Sequence, residues 1–172
     1  MRRLIIFSAI ALSFTLFSAV TSFAQEHVYA GDKVEYTLSL PSPAWRVISE
    51  PDGVNRHAEF INGERSEGYL QVRKEVVDVG TTAADLARRD QDQKLHFLTG
   101  YVEGKQEKFA GKLNGVTLSY EYTAGGKPMV GRIYYLEADN RTIYTLRFTG
   151  LREKLARIRN QTDVIARSFR LK

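Results

Sequence analysis

Across the second half of the chain the apolar positions change their spacing once, and that change divides the stretch into sheet and helix. Over residues 116–123, Val116, Leu118, Tyr120 and Tyr122 alternate with Thr117, Ser119, Glu121 and Thr123, the period of two of a half-buried antiparallel strand. Residues 142–149 repeat it, with Tyr144, Leu146 and Phe148 set against Thr145 and Arg147. Between them, residues 129–137 carry Ile133, Tyr134, Tyr135 and Leu136 in succession, which predicts a central strand covered on both faces. Gly125-Gly126-Lys127-Pro128 and Ala138-Asp139-Asn140-Arg141 predict the hairpin turns. From 151 onward Leu151, Leu155, Ile158, Thr162 and Ile165 recur at steps of four and three, predicting one helix over 151–166. Arg152, Arg159 and Asp163 fall off its apolar stripe, and Phe169 and Leu171 alternate with charge in a short terminal strand.

The first half reads less sharply. Residues 34–40 alternate with Val34, Tyr36, Leu38 and Leu40 inward, Pro41-Ser42-Pro43 ends the strand, and 45–48 resumes it. Trp45, the single tryptophan, reads as a core anchor. A loop over 49–56 contains Pro51-Asp52-Gly53; 58–61 and 69–79 form a hairpin around the polar loop 62–68. Thr82 with Asp85 three residues on predicts a capped helix over 83–98, held at its ends by Leu86 and Phe97 and stopped by Gly100. Residues 101–109 form a charged strand, and Asn114-Gly115 predicts the turn into the main sheet. The fold class is therefore α+β, an antiparallel sheet covered by helices, in the order strands, helix, strands, helix.

Residues 1–24 stand outside this pattern. Arg2 and Arg3 precede an apolar run over 4–20, and Ser22-Phe23-Ala24 places small residues where a signal peptidase reads, so the segment is expected to be a cleaved signal peptide and 25–172 a single exported domain, periplasmic or extracellular. Without it, the chain of 172 residues keeps 25 − 2 = 23 basic against 20 acidic groups, a formal +3. So mild a balance does not point to nucleic acid, and no nucleic-acid partner is expected. There is no cysteine, which removes thiol nucleophiles, cysteine zinc sites and disulfides.

No chemistry-bearing motif survives a test of its spacing. His27, His57 and His96 are scattered, although His57 and Glu59 would share one side of a strand. Gly125-Gly126-Lys127 lacks the rest of a phosphate loop, with Glu121 and Pro128 where glycine and serine or threonine belong. Five of the nine tyrosines lie between Tyr120 and Tyr144, where they read as strand packing in preference to a sugar-binding platform. The last 22 residues hold seven basic and two acidic groups. Within them Arg152 and Arg159 sit seven apart, two turns along one line of the predicted helix, and are the candidate residues for docking an acidic protein surface or an anionic headgroup. No catalytic residue, metal ligand, cofactor or small-molecule substrate is expected.

The strand ending in Leu40-Pro41 with Trp45 just after it, the mid-chain helix, the Gly115-led strand and hairpin to Ile143-Tyr144-Thr145-Leu146, and the helix ending in Ser168-Phe169-Arg170 resemble the PsbP-like superfamily, which includes PsbP and DcrB-like bacterial envelope proteins. The resemblance spans about residues 33–171 and rests on structural positions, so it transfers no functional residue. It implies an antiparallel sheet with packed helices, and binding or assembly more often than catalysis. The resulting expectation is an exported, non-enzymatic binding or assembly-support protein of the cell envelope. The alternative is a small hydrolase or a ligand- or metal-carrying periplasmic protein with a site built from loops. Cleavage after Ala24 predicts a mature N-terminus at Gln25. The intact mass of the envelope-localised protein checks it, and a full-length species retained in the membrane would replace cleavage with anchoring.

Overall fold

The computed structural model describes residues 27–52 and 57–172; the expected signal peptide with its cleavage site, and Gly53 to Arg56 of the expected loop, lie outside them. Ten strands and three α-helices follow one another as β1 (His27–Tyr29), β2 (Tyr36–Leu40), β3 (Trp45–Ser49), β4 (Ala58–Asn62), β5 (Tyr69–Val76), α1 (Ala83–Gln93), a 3-10 turn (Leu95–Phe97), β6 (Val102–Ala110), β7 (Asn114–Ala124), β8 (Lys127–Asp139), β9 (Thr142–Leu151), α2 (Arg152–Arg157), α3 (Arg159–Ser168) and β10 (Arg170–Leu171). Seven strands form one sheet in the order β3-β4-β5-β9-β8-β7-β6, and β1-β2-β10 form a second. Every pairing is antiparallel. The architecture is α+β, mostly antiparallel sheet with a few helices.

The run of four apolar residues in β8 divides the core as its period requires. Tyr134 and Leu136 point to a front face, which β2, α3 and the terminal Phe169 cover. Ile133 and Tyr135 point to a back face, covered by Ala83, Leu86, Ala87 and Leu95 of α1 and the 3-10 turn. On the front face Trp45 meets Phe148 edge-on at 6.0 Å and donates its indole N–H to Gln161 Oε1 at 2.8 Å. Phe169, fully buried, lies against Tyr36 and Tyr144 at 4.8 and 5.0 Å. Each such ring contributes roughly 1.5–3 kcal/mol of burial. The clustered tyrosines thus belong to the core: Tyr120, Tyr134, Tyr135 and Tyr144 are buried.

Local chemistry explains the boundaries. Gly125 and Gly126 both hold positive φ, 56° and 72°, between the paired Ala124 and Lys127, the backbone of a two-residue hairpin turn that matches sheet twist. Thr82 and Asp85 cap α1 reciprocally, and Glu137 accepts the N–H of Ala83 at 2.7 Å, so the first turn leaves few donors unmet.

Four expectations are corrected. The single helix over 151–166 is two helices, broken at Ile158 (φ −103°, ψ 13°), and Leu151 ends β9 instead of starting a helix. The buried stripe survives the break, since Leu155, Thr162 and Ile165 remain in the core. The mid-chain helix ends at Gln93, so the chain re-aims before Phe97, which is 80% exposed; Leu95 supplies the second anchor. Gly100, with φ +63°, follows the 3-10 turn and does not end α1. Asn114 and Gly115 are already in β7, paired with Ala110 and Phe109, and the turn is made by 111–113. Glycine is required at 115 for another reason: a Cβ there would stand 1.8 Å from the carbonyl oxygen of Tyr135.

Two outcomes follow from this core. Leu155 is 5% exposed, so Leu155→Asp should cost several kcal/mol, while Arg159→Gln on the exposed side should cost less than about 0.5 kcal/mol; denaturant midpoints separate the two. Burial also holds the hydroxyls of Tyr36, Tyr134 and Tyr135 above the ordinary value of 10.0 and pushes Tyr120 up to about 12. Above that ordinary value the unfolded chain has released protons that the folded chain keeps, so stability present below it falls as pH rises. Denaturant midpoints should be level to about pH 9 and decline from about pH 10 upward.

Candidate functional site

The helical cover of the front face is incomplete toward the β6 edge. α2 packs on β8 and β9 and α3 on β2, with Arg167 at the end of α3 lying over Phe109 and donating to the Ala110 carbonyl at the end of β6, while Lys105 and Glu107 of β6 and Ser119 and Glu121 of β7 face an opening. Where the cover ends a cleft of about 440 Å³ opens, with β6, β7 and β8 as one wall and α2 and α3 as the other. Strand register brings its sheet residues together: Ser119 lies beside Arg132 and Glu121 beside Val130 on the same face. Lys105 and Glu107 come from β6, Arg152, Leu155 and Ala156 from α2, and Arg159 and Thr162 from α3. Val130, Leu155 and Ala156 make an apolar floor, and the charged groups form a mixed rim.

Arg152 reaches across the mouth to pair with Glu121 of β7, both side chains about half exposed. Arg159 is exposed and makes no ion pair among the described residues. Deeper in, Arg132 donates from Nη2 to Asp163 Oδ1 at 3.0 Å, and the buried Tyr134 hydroxyl donates to the same oxygen at 2.6 Å. Tyr134 also lies 3.0 Å from Thr162 Oγ1, and the Arg132 guanidinium sits over its ring at 5.1 Å. This network ties β8 to α3, and desolvation together with donation to Asp163 raises the Tyr134 pKa. The Arg132 Nε is buried without an acceptor. Ser119 donates to the Lys105 carbonyl at 3.1 Å, so its hydroxyl is engaged with the backbone and not with a base.

The two arginines singled out from the sequence therefore line one cleft, in an arrangement different from the expected one. They do not share one line along a single helix, because the break at Ile158 puts Arg152 on α2 and Arg159 on α3, and Arg152 is not free. The remaining basic groups of the tail are spread over the surface. Lys154 pairs with Glu67 and holds that carboxyl below its usual range, Arg167 donates to the Ala110 carbonyl, and Arg170 donates to Thr37. Asp163, which the sequence placed off the apolar stripe, is the acceptor for Arg132 and Tyr134. Arg132, Glu121 and Lys105 escaped the sequence reading; a lone arginine inside the two-sided apolar strand was the signal available for the first. His57 precedes β4, and the Glu59 carboxylate pairs with Arg65 at 2.7 Å. Among the described residues no three His, Cys, Asp or Glu side chains gather to hold a metal, and no helix is long and apolar enough to cross a membrane.

No protein-family model and no curated protein matches the sequence. Solved structures do. A cyanobacterial PsbP (CyanoP) from Synechocystis superposes with a TM-score of 0.59 at 15% identity, covering 89% of this chain and 96% of that one. LpqN of Mycobacterium tuberculosis, described as involved in cell envelope biogenesis, gives 0.56 at 14% identity over 86% and 91%. A Bacteroides thetaiotaomicron protein gives 0.58 at 8% identity over 84% of this chain, which spans only 48% of that longer one. Identities this low speak for architecture alone, and on that architecture, over nearly the full described length, the chain has a PsbP-like fold.

Proposed function

We propose that this chain is an exported, non-enzymatic binding protein of the cell envelope, holding an acidic protein surface or an anionic headgroup at the cleft lined by Arg152 and Arg159. The observation that carries the reading is the exposed Arg159 guanidinium, without an acidic partner among the described residues, beside a cleft with an apolar floor. A planar, always-charged fork suits paired recognition of carboxylate or phosphate oxygens. One further feature favours binding over catalysis: Ser119 is committed to a backbone carbonyl and is not poised as a nucleophile. The shared architecture with LpqN, a protein described as involved in cell envelope biogenesis, fits an envelope setting.

Such docking is electrostatic at its rim and sensitive to screening. The Debye length shrinks from about 10 Å at 0.1 M to about 3 Å at 1 M salt. Affinity for a partner captured from the native envelope should fall across that range, and Arg152→Glu with Arg159→Glu should abolish both the binding and its salt dependence. Binding indifferent to salt and to the double reversal would move the contact surface elsewhere.

A further inference from the structure

Resting on that docking reading, we infer that the occupant of the cleft is an extended acidic polypeptide segment, and that Glu121 is its built-in competitor, a carboxylate of the chain's own that stands in the ligand's place on Arg152. The pair joins residues 31 apart in sequence, the first residue of α2 and a residue in the second half of β7, and bridges the mouth of the cleft. Both side chains are about half exposed, and a pair so placed contributes little to folding. It is therefore readily exchanged for a carboxylate that gains something more on entering. An incoming acidic side chain does gain more. Arg159, unpaired with any acid among the described residues, offers a fork on the same cleft, and Val130, Leu155 and Ala156 take up the aliphatic part of the segment.

The same rim selects between sources of negative charge. Glu107 and Glu121 stand among Lys105, Arg152 and Arg159, so a uniformly anionic surface such as a lipid bilayer meets repulsion along with attraction. An extended peptide can place carboxylates over the arginines and leave Glu107 to a neutral or basic neighbour. The internal partners of the cleft's arginines are also carboxylates, Glu121 for Arg152 and Asp163 for Arg132, so the geometry is already that of carboxylate recognition.

Fluorescence anisotropy at low salt tests this with a short labelled peptide alternating glutamate and valine, its glutamine counterpart, and vesicles of phosphatidylglycerol as competitor. Wild type should bind the glutamate peptide in preference to the glutamine one. Glu121→Gln should bind it about tenfold more tightly and Arg159→Gln about tenfold more weakly, the scale of one charge-assisted hydrogen bond. Glu121→Ala should move in the same direction as Glu121→Gln. Equal thermal midpoints certify folding at this exposed position. Peptide binding that depends on Arg159 but does not tighten in either Glu121 variant overturns the competitor and leaves the docking reading intact. Vesicle binding through Arg152 and Arg159 with no peptide binding overturns the peptide as occupant and leaves the headgroup form of that reading. Binding of neither probe by wild type or Glu121→Gln overturns both.

Discussion

The double coverage of β8 is the constraint on which the rest of this structure depends. β8 is hydrogen-bonded along nearly its whole length to β7 on one side and β9 on the other, so its backbone groups are satisfied within the sheet. Its side chains leave no solvent-facing option in the middle: Tyr134 and Leu136 must be covered in front, Ile133 and Tyr135 behind. One helix and the 3-10 turn after it cover the back, because Ala83 and Ala87 let α1 lie close to the sheet while Leu86 and Leu95 fill the space beside them. The front requires more, and the three-stranded sheet, the α2–α3 pair and Phe169 share the task.

The cleft follows from where that cover stops. β6 is exposed at nearly every position and carries Glu103, Lys105, Glu107 and Lys108, with an irregular register between Glu103 and Gln106. Charge and a bulge of this kind blunt an open edge against unwanted strand pairing. Before the buried Phe109 at its end, β6 also offers no buried apolar side chain that would draw a helix over it. The helix pair is held further in by its own requirements, Leu155 and Ile165 in the core and Asp163 on Arg132 and Tyr134. A charged edge and an anchored helix pair with a gap between them produce a site whose floor is core-like and whose rim is ionic.

That division makes the rim adjustable. Ion pairs at half-exposed positions contribute little to folding, so Arg152, Glu121 and Arg159 can serve recognition with small consequence for the scaffold. The Arg132–Asp163 pair is different in kind, since Arg132 is 14% exposed and its partner also accepts from a buried tyrosine; loss of one member would leave charge stranded against the core.

What the sequence determined by itself was periodic or local in origin. Alternation over 116–123 and 142–149 and the unbroken apolar run of 133–136 specified the sheet centre, because side-chain direction in a strand depends only on parity. The Gly125-Gly126 turn and the Thr82–Asp85 cap were legible because their partners lie within three residues. Arg152 and Arg159 were legible as candidates because the apolar stripe excluded them. Tertiary structure decided the rest. Nothing near Ile158 marks the helix break, and the exposure of Phe97 depends on a turn after Gln93 that sends Leu95 inward instead. Asn114-Gly115 has the composition of a turn, yet Gly115 is held in the strand by the close approach of Tyr135. The cleft itself joins Lys105, Glu121, Arg132 and Arg159 from four separate elements. No local period encodes such a meeting, since it arises only when strand order and helix placement are both set by the covering of β8.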